Sequence, residues 1–305
     1  MSEKRGIINV LKPPGMTSMQ VVTYIKKILP AKKAGHTGTL DPLAAGVLPI
    51  CTGRATKVIP YLNEDIKIYR GELILGQETD THDREGEVVH ESDDWQNINQ
   101  QKLSLVCKRF TGKIKQVPPM FSAVHHNGKR LYELAREGKN VKREAREIEI
   151  FSLKIVNFAL PRVKFRVICS RGTYIRSLVR DIGRELNTGA FLSFLLRIRS
   201  GPFRLKESYI PEKIYTLVNA DNFSFLKSPA YPLPYPHAII KNSAYKKAVN
   251  GGFLYLDDLK HYPENLEPGE MVLVFDKDDN FISINSCYKE DSCIQLRPER
   301  VFLTE

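Results

Sequence analysis

One short segment concentrates the residues best suited to chemistry. Residues 35–46 read Gly-His-Thr-Gly-Thr-Leu-Asp-Pro-Leu-Ala-Ala-Gly. The glycines let the backbone turn sharply and come close to a ligand. Pro42 restricts Asp41 to an extended conformation. Such a loop can present one carboxylate rigidly into a cleft, although an Asp-Pro pair can also do no more than cap a turn. A phosphate loop is excluded, because the segment lacks the G-x-x-x-x-G-K-[ST] pattern and opens no strong amphipathic helix. A Mg²⁺-dependent aspartyl-phosphate enzyme would want further carboxylates beside the nucleophile, and Asp41 is flanked by Leu40 and Pro42.

The surrounding pattern supplies the elements that must hold this loop. Residues 6–11 read as a buried strand, stopped by Lys12-Pro13-Pro14-Gly15. A helix follows, with Ser18 as its N-cap and Val21, Val22, Ile25, Ile28 and Leu29 as one apolar stripe. Residues 54–62 read as a short helix and 66–75 as an alternating strand. Residues 79–86 read as a polar turn or mobile loop. A helix is predicted over 101–110, a short strand over 120–124 and a turn at Asn127-Gly128. Residues 131–137 read as helical, and 148–160 and 163–169 as a strand pair. The clearest helix spans 173–186, with Ile175, Leu178, Val179, Ile182 and Leu186 on one stripe. On the same helix Arg180 and Arg184 read as a solvated basic face. Residues 192–198 read as a strand or buried segment.

Charge narrows the partner. The net charge of +11 is unevenly spread. Residues 1–60 carry nine Lys/Arg against two Asp/Glu, 61–100 carry three against eleven, and 101–210 carry twenty-four against eight. Two basic blocks separated by an acidic stretch favour contact with phosphates. No run of about 18 apolar residues is present, which argues against a membrane helix. The five scattered cysteines form no C-x-x-C pair, so a disulfide framework or zinc site is not expected, and buried free thiols in a reducing cytosol are.

Beyond these physical readings, GHTGTLDPLAAGVLP resembles the nucleophile motif of the TruB-type pseudouridine synthases over about fifteen positions. KPPGMTS precedes it, and ATKVIPYL, KIYRGELILGQETDTHDREG, VPPMFSAVHHNGKRLYELAREG, SRGTYIRSLVRDIGREL and GAFLSFLLRIRSGPF follow it, all in the family's order. Phe121 departs from a common tyrosine, and Val124-His125-His126 from a Leu-Lys pair. The resemblance implies an α+β fold: a mixed, mostly antiparallel sheet with helices around a catalytic cleft, followed by a small C-terminal PUA-like β-barrel. The organisation it implies is a catalytic domain over 1–227, a linker over 228–235 and an RNA-binding domain over 236–305.

The resemblance also implies roles. Asp41 is the catalytic aspartate, attacking C6 of the uracil or C1′ of the ribose. Tyr69 is the active-site tyrosine that stacks on the target base, and Arg176 the arginine that pairs with the aspartate. His36, Tyr174, Leu195, Lys57 and Lys12 are substrate-binding, with Tyr174 and Leu195 lining the base pocket and Lys57 and Lys12 serving RNA contact or structure. The implied activity is isomerisation of the T-loop uridine at position 55 of tRNA, with no metal or organic cofactor. The partner is the tRNA T arm; no membrane or protein partner is required, and a cytoplasmic monomer is expected. Guide-RNA-dependent synthases share the aspartate motif and form a second reading. A non-catalytic RNA-binding factor is a third.

Overall fold

The computed structural model describes residues 5–62, 66–122, 124–126, 128–290 and 293–303. Alternating and fully apolar segments assemble into a ten-stranded sheet. Its main path runs Leu226–Lys227, Gly6–Lys12, Ala45–Thr52, Ala190–Ser200, Lys67–Leu75, Arg162–Cys169, Arg146–Ala159 and Gly112–Gln116. Ala34–His36 adds to Ala45–Thr52, and Phe203–Arg204 to Ala190–Ser200. Among the described residues the one parallel pairing in this sheet joins Leu196 and Arg197 to Ala45 and Gly46. Gly46 makes that approach possible. Its φ is 114°, and a Cβ there would meet the Arg197 carbonyl oxygen at 2.2 Å.

The helices Ser18–Ile28 and Ile175–Glu185 bury Val21, Val22 and Ile25, and Ile175, Leu178, Val179 and Ile182, against the sheet. The expected stripes are therefore the buried faces. Two boundaries differ from the sequence reading. Thr17, not Ser18, caps the first helix, in a capping box with Gln20. The second helix begins at Ile175.

Other local differences have plain causes. Residues 53–61 form a 3-10 helix, with Pro60 inside it. Residues 120–122 are bends rather than a strand, since the chain there serves the Arg176 guanidinium. The central strand runs the full Ala190–Ser200. Thr79 ends a short strand, Gln77–Thr79, and residues 80–86 are a turn packed against the sheet, with His82 and Asp83 buried. Gly128 sits between the paired strands His125–His126 and Lys129–Arg130, while Asn127 lies outside the described residues. Cys51, Cys107, Cys169 and Cys287 are buried free thiols, and Cys293 is exposed.

A second, six-stranded sheet follows in the order Leu254–Tyr255, Cys293–Val301, Phe281–Glu290, Met271–Phe275, His237–Ile240 and Leu259–His261. It is nearly closed and fits a PUA-like barrel. One apolar cluster joins the sheets: Ile7, Val47, Cys51 and Val58 pack with Leu273, Phe275, Phe281 and Phe302. Ala230 and Leu233, from the proline-rich segment between them, are buried in the same cluster. No helix among the described residues is long and apolar enough to cross a membrane.

Candidate active site

The Asp41 loop leaves the short strand Ala34–His36 and returns through Ala45–Thr52. Several of its backbone groups are tied down on either side of Asp41. The Leu40 N–H donates to Ser18 Oγ at 2.8 Å, and that hydroxyl donates to the Leu40 carbonyl at 2.9 Å. Ser18 thus clamps the residue before Asp41 instead of capping its helix. Lys12, fully buried, donates through Nζ to the Pro13 and Pro42 carbonyls at 2.9 and 3.1 Å. From the other side Arg197, also fully buried, donates to the carbonyls of Gly38 (3.0 Å), Thr39 (3.3 Å) and Val47 (2.7 Å). The loop is held from both sides, and the Asp41 side chain remains about one-third exposed.

That carboxylate meets a guanidinium edge-on. Arg176 Nε donates to Asp41 Oδ2 at 2.8 Å and Nη2 to Oδ1 at 3.1 Å. The two-pronged geometry fixes the carboxylate plane as well as its position. Arg176 is itself buried. Its other donors reach the Thr81 carbonyl at 3.1 Å and the Phe121 carbonyl at 2.8 Å, and buried Asp83 stands at 3.5 Å. Three segments distant in sequence therefore converge on one side chain.

Tyr69 is buried on the central strand Lys67–Leu75. Burial pushes its hydroxyl pKa up, while a hydrogen bond from Arg197 and that residue's charge pull the other way. Asp41 lies close enough to act on both Tyr69 and Lys12. Burial lowers Lys12 to about 8, against the opposing pull of Asp41. Leu195 is buried on the adjacent strand, paired with Gly71. Tyr174 precedes the Arg176 helix, its backbone exchanging hydrogen bonds with the Gln116 amide at 2.8 and 3.0 Å. His36 sits at the mouth of the loop. Its pKa is lowered by burial, then by Arg197 and Lys67. Lys57 is the exception among the predicted residues. It donates to the Val301 carbonyl at 3.1 Å, at the junction with the second sheet, away from the Asp41 cluster.

The comparisons with known proteins agree with this arrangement. Residues 26–175 match the family described as TruB family pseudouridylate synthase (N terminal domain). A tRNA pseudouridine synthase B of Geobacter sulfurreducens is 49% identical over 77% of each chain. That of Clostridium novyi is 45% identical over 92% of this chain and 94% of its own. The chain belongs to the TruB family of pseudouridylate synthases. In structure the TruB-family chain is similar to a Cbf5-Nop10-Gar1 complex, with 29% identity, a TM-score of 0.73 and coverage of 98% of this chain and 85% of that one. It is similar also to an H/ACA RNP bound to a substrate RNA containing 2′-deoxyuridine, with 27% identity, TM-score 0.73 and the same coverage.

Three participants in this TruB-family site escaped the sequence reading. Ser18 was assigned to a cap, Asp83 to a polar turn, and Arg197 went unnamed within RIRSGPF. Only Arg197 carried a signal: an arginine in an otherwise apolar strand needs partners to be buried. Arg180 corrects the expected solvated face: it is buried and pairs with Asp181 at 2.6 Å. Arg184 keeps an exposed side chain, as expected, and pairs with Glu78 at 2.6 Å.

Arg197→Met is expected to strand three carbonyls and cost about 3 kcal/mol of stability. The turnover rate should fall more than RNA affinity, as read by denaturant unfolding alongside single-turnover kinetics. A second prediction concerns His82. Its φ is 61° and it is buried among Arg176, Arg180, Arg184 and Arg143. Burial, then these charges, lower its pKa to about 3. Between about 6.5 and about 3 the unfolded chain takes up a proton that the folded chain refuses, so stability falls as pH drops through this window. His82→Asn tolerates the left-handed backbone and should show a shallower loss of unfolding midpoint from pH 6 to 4.

Proposed function

We propose that the protein isomerises the T-loop uridine at position 55 of tRNA to pseudouridine, with Asp41 as the nucleophile. The observation that carries this reading is the two-pronged Arg176–Asp41 pair, which aims one partly exposed carboxylate out of a loop clamped by Ser18, Lys12 and Arg197. The names of the relatives, tRNA pseudouridine synthase B, support tRNA as the substrate. The basic blocks support it too, since they can hold the phosphate backbone and offset the few kcal/mol needed to flip a stacked base.

In this reading the flipped uracil lies against Tyr69, with Leu195 and Tyr174 as pocket walls. His36, Lys12 and Lys57 serve the substrate or the loop. The Asp41 carboxylate forms a covalent bond to the substrate, and the C1′–N1 bond breaks. The base rotates, a C1′–C5 bond forms, the bond to Asp41 breaks and returns its electron pair to the carboxylate, C5 gives up its proton and N1 gains one. Atoms and electrons balance without a cofactor. The protein acts alone in the cytoplasm, as a monomer of a catalytic domain over 1–227 and an RNA-binding domain over 236–305. The likeness to H/ACA particles favours one alternative, a guided synthase. Purified protein and an unmodified tRNA transcript tritiated at uridine C5 decide between them. Tritium release by the lone protein, mapped to position 55, supports the proposal. Tight binding without release refutes it.

A further inference from the structure

Arg197 holds more than the loop. It stands opposite Tyr69 in the register of the strands Ala190–Ser200 and Lys67–Leu75, and both side chains are buried. The guanidinium donates to the Gly38, Thr39 and Val47 carbonyls and also to the Tyr69 hydroxyl. Those carbonyls are neutral. Among the described residues no carboxylate oxygen lies within 4 Å of this guanidinium. A buried charge without a counter-ion costs free energy, and the contacting group that can become anionic is the Tyr69 oxygen. Lys67 brings a second buried cation to the same loop. It lies on the Tyr69 face of its strand, and a Cβ on Gly38 would stand 2.7 Å from its Nζ and 3.8 Å from Arg197 Nη1. The titratable groups that bear on Tyr69 itself are Arg197, Cys169 and Asp41. Burial, then the thiol and the Asp41 charge, oppose loss of the hydroxyl proton, while Arg197 favours it by charge and by hydrogen bond.

We propose that Arg197 is a positioning residue for Tyr69, setting the Tyr69 oxygen as the base that takes the proton from uracil C5 once the C1′–C5 bond has formed. The inference rests on the isomerase reading given above. A phenol is a poor base while it keeps its proton, and a buried guanidinium donating to its oxygen stabilises the ionised form. In the step, the ionised Tyr69 oxygen bonds to the C5 hydrogen. The C5–H electron pair closes the C5=C6 double bond, and N1, which receives the displaced pair, takes a proton from water. Tyr69 then returns its proton to water, and the side chain ends as it began. The guanidinium that fixes the loop carrying the nucleophile thereby also fixes the base for the last step.

The test compares two full-length tRNA transcripts, one made with uridine and one with 5-fluorouridine, and counts the carbon-linked nucleoside after digestion. Fluorine at C5 cannot leave as a proton, so the second transcript reads every step up to the C1′–C5 bond without proton removal. Arg197→Lys keeps a cation beneath the loop. It is expected to convert the uridine transcript about 10²-fold more slowly than wild type and the fluorinated transcript at the wild-type rate. Deuterium at C5 of the uridine should slow the variant more than it slows wild type. Equal losses on both transcripts would overturn the inference and leave Arg197 a clamp for the loop. A second measurement leaves Arg197 in place and so does not depend on the fold of that variant. With 3-fluorotyrosine at position 69, whose hydroxyl is more acidic, the rising limb of uridine conversion should move to lower pH while conversion of the fluorinated transcript stays put. A limb that does not move overturns the inference. Wild type that converts neither transcript would sink the isomerase reading and this inference with it, whereas the two outcomes above, against an active wild type, sink the inference alone.

Discussion

Asp41→Asn is expected to release no tritium above background from a C5-labelled transcript, a loss of at least about 10⁴-fold. The amide keeps the shape of the side chain and one acceptor for the Arg176 fork, but it cannot supply an ionised oxygen for attack. The fold should tolerate it. Arg176 retains the Thr81 and Phe121 carbonyls and Asp83, and Asp41 is partly exposed, so the stability cost should be about 1 kcal/mol. RNA binding should stay near the wild-type value. Parallel measurements of tritium release, filter binding and urea unfolding separate these effects. Residual turnover in Asp41→Asn would remove the nucleophile from the proposed mechanism.

Arg176→Met should damage both activity and stability. It leaves Asp83, only 6% exposed, as a buried charge with no guanidinium, and it strips two carbonyls of their donor. Breaking such a buried pair from one side costs about 3–5 kcal/mol. Asp41 loses its orienting fork in the same stroke, so turnover should fall steeply. The two losses can be separated. Arg176→Met with Asp83→Asn should recover part of the unfolding midpoint and none of the activity. Arg176→Lys should rescue little, because an ammonium cannot present two parallel donors while reaching two carbonyls beyond. If Arg176→Lys were fully active, charge alone rather than fork geometry would be what Asp41 requires.

Much of this site could be read before the fold was known, for a physical reason. Asp41, Pro42 and the glycines of the loop impose local geometry, and local geometry is written in adjacent residues. The stripes of the two site-facing helices are likewise local and were legible to within two residues. Arg176 could be paired with Asp41 only through the family resemblance, since 135 positions separate the two. What stayed hidden was tertiary. Ser18 looked like a cap, because N-cap and first helical position differ by one residue and Thr17 serves equally well. His82 and Asp83 looked like a polar turn, because nothing nearby announces that a buried guanidinium will reach them. Arg180 had the spacing of a solvated face, and only the packed structure shows it buried beside its neighbour Asp181, while the exposed Arg184 meets Glu78 from 106 positions away. The acidic stretch of residues 61–100 carries the same lesson. Glu72, Glu78 and Asp83 pair with Arg162, Arg184 and Arg176, so part of that negative charge is matched by arginines of the second basic block, only one of which, Arg176, is buried.

The apolar cluster that joins the two sheets sets a timetable for synthesis. Ile7 and Phe302 belong to the same cluster, and the strand carrying Ile7 pairs on one side with Leu226–Lys227. At roughly 5–20 residues per second, the ribosome needs roughly 15–60 s to deliver Phe302 after Ile7. For that interval Ile7, Val47, Cys51 and Val58 have left the exit tunnel with no apolar partner to cover them from the second sheet. A nascent chain arrested before Met271 should therefore be held by a chaperone that binds exposed apolar segments, and release should follow completion of the strand Cys293–Val301. The junction thus makes the first strand out of the ribosome one of the last to be fully buried.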